Sequence, residues 1–265
     1  MATASFRLAH PLVAVRDLQA AADRYARIGF AVGSEQRAVA GLVQRTVRLA
    51  DNAIVLTALE DTAEPRRRDR LHRIVAELLA VREGAALVAL HGTADGIARL
   101  REREVEVVRR VLPDAAHPGL GFVLADPAQP TDAAAAHPNS ARRVLRVTYA
   151  AADPDEVRPR FRAIWGRTTA HPGGFEVQTA SGTLRVLSNE AAASQFLTAD
   201  MPEGWTASPG VIAITVMADH PHQLVSGLYR ERVPHSVYAR RVRIDASFAG
   251  NVALEFVYPA LMPGF

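Results

Sequence analysis

The feature that most constrains this chain is a strand followed by a helix, a unit that recurs along the sequence. In the first copy, residues 6–15 are apolar and β-branched, as in a buried strand. Asp17 follows at a position where its side chain can cap a helix. An apolar stripe at three- and four-residue spacing then predicts the helix, through Leu18, Ala21, Ala22, Tyr25 and Ile28.

Three later segments repeat this unit, beginning near residues 86, 143 and 211. Alignment of their helix starts places Asp95, Asp153 and Asp219 in positions equivalent to Asp17. Strand-like segments follow each helix, so the pattern predicts an α+β fold of four degenerate βαβββ modules. The helix of one module covers only one face of its sheet, and each module therefore needs a partner module.

Two segments between modules organise the chain. Residues 61–83 carry a helical apolar stripe and predict a connecting helix. Residues 126–139 contain three prolines and show no periodicity, which is typical of a domain boundary. We therefore expect modules one and two, with the connecting helix, in residues 1–130 and modules three and four in residues 131–265.

Composition limits the cellular setting. The 265 residues include no cysteine, which removes disulfides and thiolate chemistry. No apolar run approaches the ~18 residues of a membrane span, and the first residues lack a secretory pattern. The net charge is only +3, with arginine supplying the basic groups, so a nucleic-acid partner does not follow. We expect a cytoplasmic protein that binds neither nucleic acid nor membrane.

Four segments resemble one known family. They are HPLVAVRDLQAAADRYARIGF near the start, LAVREGAALVAL at 79–90, His137-Pro138-Asn139, and ALEF at 253–256. The resemblance is to the glyoxalase-like domain family of the vicinal oxygen chelate superfamily, which also includes bleomycin-resistance proteins and extradiol dioxygenases. It implies paired modules that curve mixed sheets around a cleft for a small molecule.

The resemblance also implies a divalent metal held by His and Glu from first and last strands. His10 and Glu255 match those positions, whereas Val55, Arg146 and Ile212 stand where further ligands are expected. A catalytic metal needs about three protein ligands, so we expect no tightly bound metal. A divalent ion held by His10 and Glu255 alone would bind weakly and exchange with solvent.

His10 and Glu255 are nevertheless the candidate catalytic residues. Pairing module one with module four would bring them together, and the sequence leaves open whether that pairing or one-with-two occurs. His10 also fits a hydrogen-bonded strand histidine. Glu255 lies in an apolar strand, where a carboxylate needs a partner, and Arg241 and Arg243 have the right side-chain parity for a structural ion pair.

The candidate ligand-binding residues are Arg146, Arg243, His137 and Asn139. For His137 and Asn139, a structural turn at the junction between domains is the other interpretation. Glu176, Gln178 and Arg185 lie on a predicted hairpin of module three, where they line a polar cleft or face solvent.

Two functions remain open from the sequence. The first is an enzyme that acts on a small organic metabolite by acid–base or metal-assisted chemistry, as a lyase, isomerase or dioxygenase. The second is a non-catalytic protein that sequesters a small molecule with a degenerate metal site. A homodimer is left open as well, and the sequence does not identify the substrate.

Overall fold

The computed structural model describes residues 6–38, 41–60, 70–107, 111–112, 117–125, 136–196, 201–207 and 209–259. Within these residues the chain forms two mixed β-sheets and six α-helices. The predicted α+β fold of βαβββ modules, paired into curved sheets, is confirmed. No helix in this part of the chain has the length and apolar character of a membrane span.

The first half contains modules one and two with a connecting helix. Its strands are β1 (Phe6–Ala14), β2 (Gln36–Ala38), β3 (Leu42–Arg48), β4 (Ala53–Leu59), β5 (Gly84–Gly92), β6 (Val111–Leu112) and β7 (Phe122–Leu124). Its helices are α1 (Leu18–Arg27), α2 (Arg70–Val81) and α3 (Ala94–Glu102), with a short 3-10 helix at Pro118–Leu120. Of the predicted connecting helix, residues 61–69 lie outside the described residues.

The second half contains modules three and four. Its strands are β8 (Ala141–Ala151), β9 (Thr169–His171), β10 (Gly174–Gln178), β11 (Thr183–Ser188), β12 (Gly210–Ala218), β13 (His235–Tyr238), β14 (Arg241–Ile244) and β15 (Ala253–Val257). Its helices are α4 (Pro154–Trp165), α5 (Asn189–Gln195) and α6 (Pro221–Arg230). Helix α4 continues through Pro159, although a proline inside a helix usually kinks or shortens it.

Sheet topology decides how the modules pair. The first sheet has the order β2-β3-β4-β1-β5-β7-β6, so module one pairs with module two through β1 and β5. The second has the order β13-β14-β15-β12-β8-β11-β10-β9, so module three pairs with module four through β8 and β12. The alternative pairing of module one with module four does not occur. The predicted boundary at residue 130 lies outside the described residues and stays a prediction.

The two sheets share one hydrophobic core. Each sheet packs one face, which we call its helix face, into a single cluster that includes residues of α1, α3, α4 and α6. Stacked Phe30 and Phe256, and edge-to-face Phe6 and Trp165, join the halves within that cluster. The opposite face of each sheet, which we call its cleft face, therefore lies outside the shared core.

A separate helix covers part of each cleft face. On the first sheet, Ile74, Val75 and Leu79 of α2 pack against apolar residues of β1 and β5. On the second sheet, Ala192 of α5 and the following Phe196 pack against strands β8, β11 and β12. The connecting segments thus occupy part of the space that the predicted clefts would offer.

The helix starts confirm two of the predicted caps and correct two. Asp17 and Asp153 accept backbone N–H groups of the first turns of α1 and α4. Thr93, not Asp95, caps α3, because its hydroxyl accepts from Gly96 N–H at 3.0 Å. His220, not Asp219, occupies the cap position of α6, where Pro221 starts the helix and no side chain caps it.

The halves contact each other reciprocally. The turn after β3 donates from Ala50 N–H to the Arg142 carbonyl in module three, at 2.8 Å. The turn after β10 donates from Ala180 N–H to the Phe6 carbonyl in module one, at 2.9 Å. Each turn therefore binds the first strand of the other half, as an approximate twofold relation between the halves requires.

Candidate functional site on the second sheet

A row of polar side chains crosses the cleft face of the second sheet. Strand register places Arg146 opposite Thr215, Thr215 opposite Glu255, and Glu255 opposite Arg243. Residues paired in this way project their side chains to the same face. Their neighbours along each strand enter the shared core, which leaves the polar row facing away from it: Val147, Ile214, Val216, Leu254, Phe256, Val242 and Ile244.

Glu255 is the most heavily paired group of the row. Its Oε1 accepts from Arg243 Nη2 at 3.0 Å and from Arg241 Nη1 at 3.3 Å. Its Oε2 accepts from the Thr215 hydroxyl at 3.4 Å. Glu255 is 2% exposed and Arg243 is fully buried. The structural ion pair that side-chain parity predicted is therefore present, and it uses both candidate arginines.

A charged hairpin extends the cleft face beside the polar row. Glu176 of β10 pairs in register with Arg185 of β11, and Arg185 with Thr148 of β8. Arg185 Nε donates to Glu176 Oε1 at 2.6 Å, and its Nη2 lies 2.5 Å from the same oxygen. Both side chains are mostly buried. Glu176 and Arg185 therefore lie mostly buried on the cleft face, whereas Gln178 faces solvent.

Arg146 lies between these two charged groups. Burial is the main cause that lowers the pKa of Arg146 from its usual value, and the Arg185 charge lowers it further. The carboxylates of Glu176 and Glu255 act in the opposite direction. The Nε of Arg146 is shielded from solvent and has no hydrogen-bond partner. Its guanidinium is therefore held charged in a site that compensates the charge only in part.

Aromatic side chains border the polar row. The Arg243 guanidinium lies 4.4 Å from the centroid of the Phe196 ring and 5.4 Å from that of Tyr238. Trp205 packs against the apolar cluster that includes Phe196 and Met201. The cleft face therefore offers a charged row next to an apolar wall, a combination typical of small-molecule sites.

His10 lies on the other sheet, away from Glu255. It pairs in register with Ala89, whose side chain packs with α2 on the cleft face of the first sheet. Burial, and the nearby His91 to a smaller degree, lower the pKa of His10 to about 4. His10 is therefore neutral at pH 7 and a weak base, and the sheet pairing separates the two predicted catalytic residues.

The residues present do not fit the metal site that the resemblance implies. Among the described residues, no group of three or more His, Cys, Asp and Glu side chains converges. Glu255 Oε1 is already bound by two guanidinium groups, and Arg146 places a further fixed positive charge in the row. An arginine cannot lose its proton to accommodate a cation.

His137 binds the backbone of module one with both ring nitrogens. Its Nδ1 accepts from Ala31 N–H at 2.9 Å, and its Nε2 donates to the Arg48 carbonyl at 2.7 Å. Burial is the main cause that lowers the pKa of His137, although the bond to Arg48 acts in the opposite direction. Both nitrogens are engaged, which favours the structural interpretation over ligand binding.

Asn139 has a similar place in the fold. Its side-chain amide donates to the Ile28 carbonyl at 3.2 Å and accepts from Ala141 N–H at 3.1 Å. It packs against Gly29, whose φ of +93° and close approach suit only glycine. Asn139 also lines a surface groove of about 390 Å³ between α1 and α6, on neither cleft face. Asn139 therefore lies apart from the polar row on the second sheet.

Sequence reasoning missed several members of the cleft face. Thr215 was hidden because the bulge in β12 between Val211 and Ala213 breaks simple alternation. Phe196 belongs to a connecting segment, whose docking no strand pattern predicts. His171, whose Nε2 lies 3.9 Å from Glu176 Oε1, sits on the short edge strand β9. For the region around β9 and β10, the usable sequence signal was the carboxylate of Glu176 opposite Arg185 on the predicted hairpin.

Three solved structures share this fold across nearly the whole chain. A hypothetical protein from Staphylococcus aureus has a TM-score of 0.63 at 8% identity and covers 96% of this chain and 100% of its own. A triple mutant of 4-hydroxymandelate synthase from Streptomyces coelicolor has a TM-score of 0.61 at 14% identity, covering 99% and 94%. A xylose isomerase-like TIM barrel/4-hydroxyphenylpyruvate dioxygenase fusion protein has a TM-score of 0.60 at 12% identity, covering 99% of this chain and 51% of that one.

These similarities establish the fold alone, because the identities are low. No protein-family model matches the chain. No curated protein sequence matches it either.

Proposed function

We propose that this protein binds a small organic molecule on the cleft face of the second sheet. The observation that carries the proposal is the polar row of Arg146, Thr215, Glu255 and Arg243, buried beside an aromatic wall. We also propose membership of the glyoxalase-like family, with a metal site that has lost its ligands.

The two cleft faces differ in a way that supports a functional second sheet. On the first sheet, α2 covers a cluster of Ala, Val, Leu and Ile side chains, as stability alone requires. On the second, several charged side chains lie buried or half-buried in equivalent positions. Burying ion pairs costs desolvation that apolar residues would avoid. A ligand that needs those charges explains why they are there.

Catalysis on the same face is the second candidate, and one observation favours it. His171 Nδ1 donates to the Pro172 carbonyl at 2.8 Å, because a carbonyl oxygen can only accept. In the neutral tautomer that donates from Nδ1, Nε2 presents a lone pair towards Glu176, 3.9 Å away. Two acceptors facing each other need a proton or a donor between them, and a substrate hydroxyl would provide one. The enzymes among the fold neighbours support this only by analogy.

Native mass spectrometry of protein purified from cells tests the proposal. We expect a retained organic compound, or one recovered by denaturing the protein and rebound on refolding. The double variant Arg185→Gln/Glu176→Gln removes both charges of the hairpin pair, so that neither is left buried alone, and it should lose the compound. The control is Arg45→Gln/Glu35→Gln, which removes an ion pair 3.8 Å apart in module one, between β3 and the residue that precedes β2.

Retention of the compound by the hairpin double variant, or its loss in the control, would place the ligand elsewhere. Conversion of the compound during incubation would identify the catalytic candidate, and His171→Gln should then abolish turnover while binding persists. We also propose a cytoplasmic location, which cell fractionation tests, and a homodimer, which light scattering tests.

A further inference from the structure

Arg146 differs from the other arginines of the cleft face because it has no carboxylate of its own. Glu176 is engaged by Arg185, and Glu255 by Arg243. Within the described residues, the Arg146 side chain makes no hydrogen bond or ion pair, and its Nε is shielded from solvent. A charged donor in that condition is costly unless a ligand completes it.

The neighbours of Arg146 leave it as the available donor at the end of the polar row that adjoins the charged hairpin. Register places it between Thr183 of β11 and Thr215 of β12. The Thr183 hydroxyl donates to Gln178 Oε1 at 3.0 Å, and the Thr215 hydroxyl donates to Glu255. Both hydroxyl protons are committed, so an acceptor on a ligand would find its donors on the guanidinium.

We propose that Arg146 binds the carboxylate of the small organic ligand. This inference rests on the proposed function, because it names the chemical class of the molecule bound at the same face. A guanidinium presents two parallel N–H groups that match the two oxygens of a carboxylate. An ion pair between Arg146 and the ligand carboxylate would give a partner to a guanidinium that has an unsatisfied N–H group in the folded protein.

A planar monoanion suits this position better than a phosphate does. Among the described arginines of the cleft face, Arg146 is the one that makes no ion pair, so a single planar carboxylate would satisfy it directly. The carboxylates of Glu176 and Glu255 act on Arg146 from two sides. A dianion would meet repulsion from both, and a neutral amide would leave the guanidinium charge uncompensated.

Matched probes test this directly. Phenylacetate carries the proposed carboxylate and a ring for the apolar wall, and phenylacetamide is its neutral counterpart of similar shape. Binding is followed by ligand-observed NMR and by the fluorescence of Trp205, in a Trp165→Phe background that leaves one tryptophan. Both probes are titrated into the millimolar range, where weak fragment binding is measurable.

The variants separate charge from geometry. Arg146→Gln removes the charge and breaks no ion pair, so it should fold. Arg146→Lys keeps the positive charge but loses the two parallel N–H groups of the guanidinium. Arg167→Gln, at an exposed position after α4, is the control. We expect phenylacetate to bind at least tenfold more tightly than phenylacetamide, and Arg146→Gln to remove that preference. Arg146→Lys should restore it in part, and the control should retain it.

The outcomes distinguish this inference from the proposed function. If both probes perturb Trp205 equally, and Arg146→Gln binds them as well as the parent does, the cleft face binds small molecules but Arg146 does not select carboxylates. If neither probe, nor the compound retained from cells, perturbs Trp205 or depends on Arg146, both the inference and the proposed site are wrong.

Discussion

Glu255 and Arg243 form a buried pair in which each charge depends on the other. Arg243 is fully buried and also lies over the Phe196 ring, so removal of its partner leaves a desolvated guanidinium. Side-chain parity on two neighbouring strands predicted this pair. Its place in the polar row depends on the register of four strands, β14, β15, β12 and β8, and no local sequence pattern contains that register.

Replacement of Glu255 by Gln should therefore lower the free energy of unfolding by about 3 kcal/mol, because a buried cation loses its counterion. The Arg243→Gln variant should cost a similar amount. The double variant should cost clearly less than the sum, since neither charge is then left alone. Urea denaturation of all four proteins measures the coupling. Additive effects would show that the two side chains do not stabilise each other.

His10 gives the protein a pH-dependent stability. The pKa of His10 is about 4 in the folded protein, compared with an ordinary value of 6.5. Between pH 6.5 and pH 4, His10 is therefore protonated in the unfolded chain and neutral in the folded protein. Stability should therefore fall as the pH falls from 6.5 towards 4, by up to roughly 3 kcal/mol from this residue. The variant His10→Leu should lose most of that slope.

Unfolding midpoints at pH 7 and pH 4.5 measure the effect. His222→Leu, at an exposed position on α6, is the matched control and should keep the parent slope. An unchanged slope in His10→Leu would mean that other groups, His91 among them, carry the acid sensitivity.

At the scale of elements, periodicity predicted most helices and strands, because each module repeats the same apolar pattern. It did not predict where α2 and α5 dock, since an apolar helix face fits any apolar sheet face. The sequence is ambiguous for the short strand β2, which begins at Gln36.

Two substitutions test whether Thr93 or Asp95 caps α3. Thr93→Ala removes the hydroxyl that accepts from Gly96 N–H and should cost about 1 kcal/mol. Asp95→Ala, at the position that alignment favoured, should cost only a few tenths through the helix dipole. Thermal unfolding of the two variants compares them under one condition. A larger loss from Asp95→Ala would restore the aligned aspartate as the cap.

At the scale of the whole molecule, one shared core joins two sheets that point their cleft faces outward. The sequence left the pairing of modules open because every module offers the same kind of sheet edge and apolar face. The choice depends on contacts between distant residues, such as the two reciprocal turns. This choice also explains the separation of His10 from Glu255, which the pairing of module one with module four would have brought together.

The Asn52 side chain tests how firmly the halves are joined. It accepts from Val144 N–H at 2.8 Å and donates to the Val144 carbonyl at 2.9 Å, which makes it a two-bond clamp from module one onto β8. Asn52→Ala should lower the unfolding free energy by roughly 2 kcal/mol, because both backbone groups lose their partner. Asn52→Asp keeps only the acceptor, and its unfolding free energy should lie between those of the parent and Asn52→Ala.

Denaturation followed by Trp165 fluorescence and by circular dichroism should still give coincident transitions, since the core is shared. Separate transitions in Asn52→Ala would show that the halves are independent folding units held together mainly by their turns.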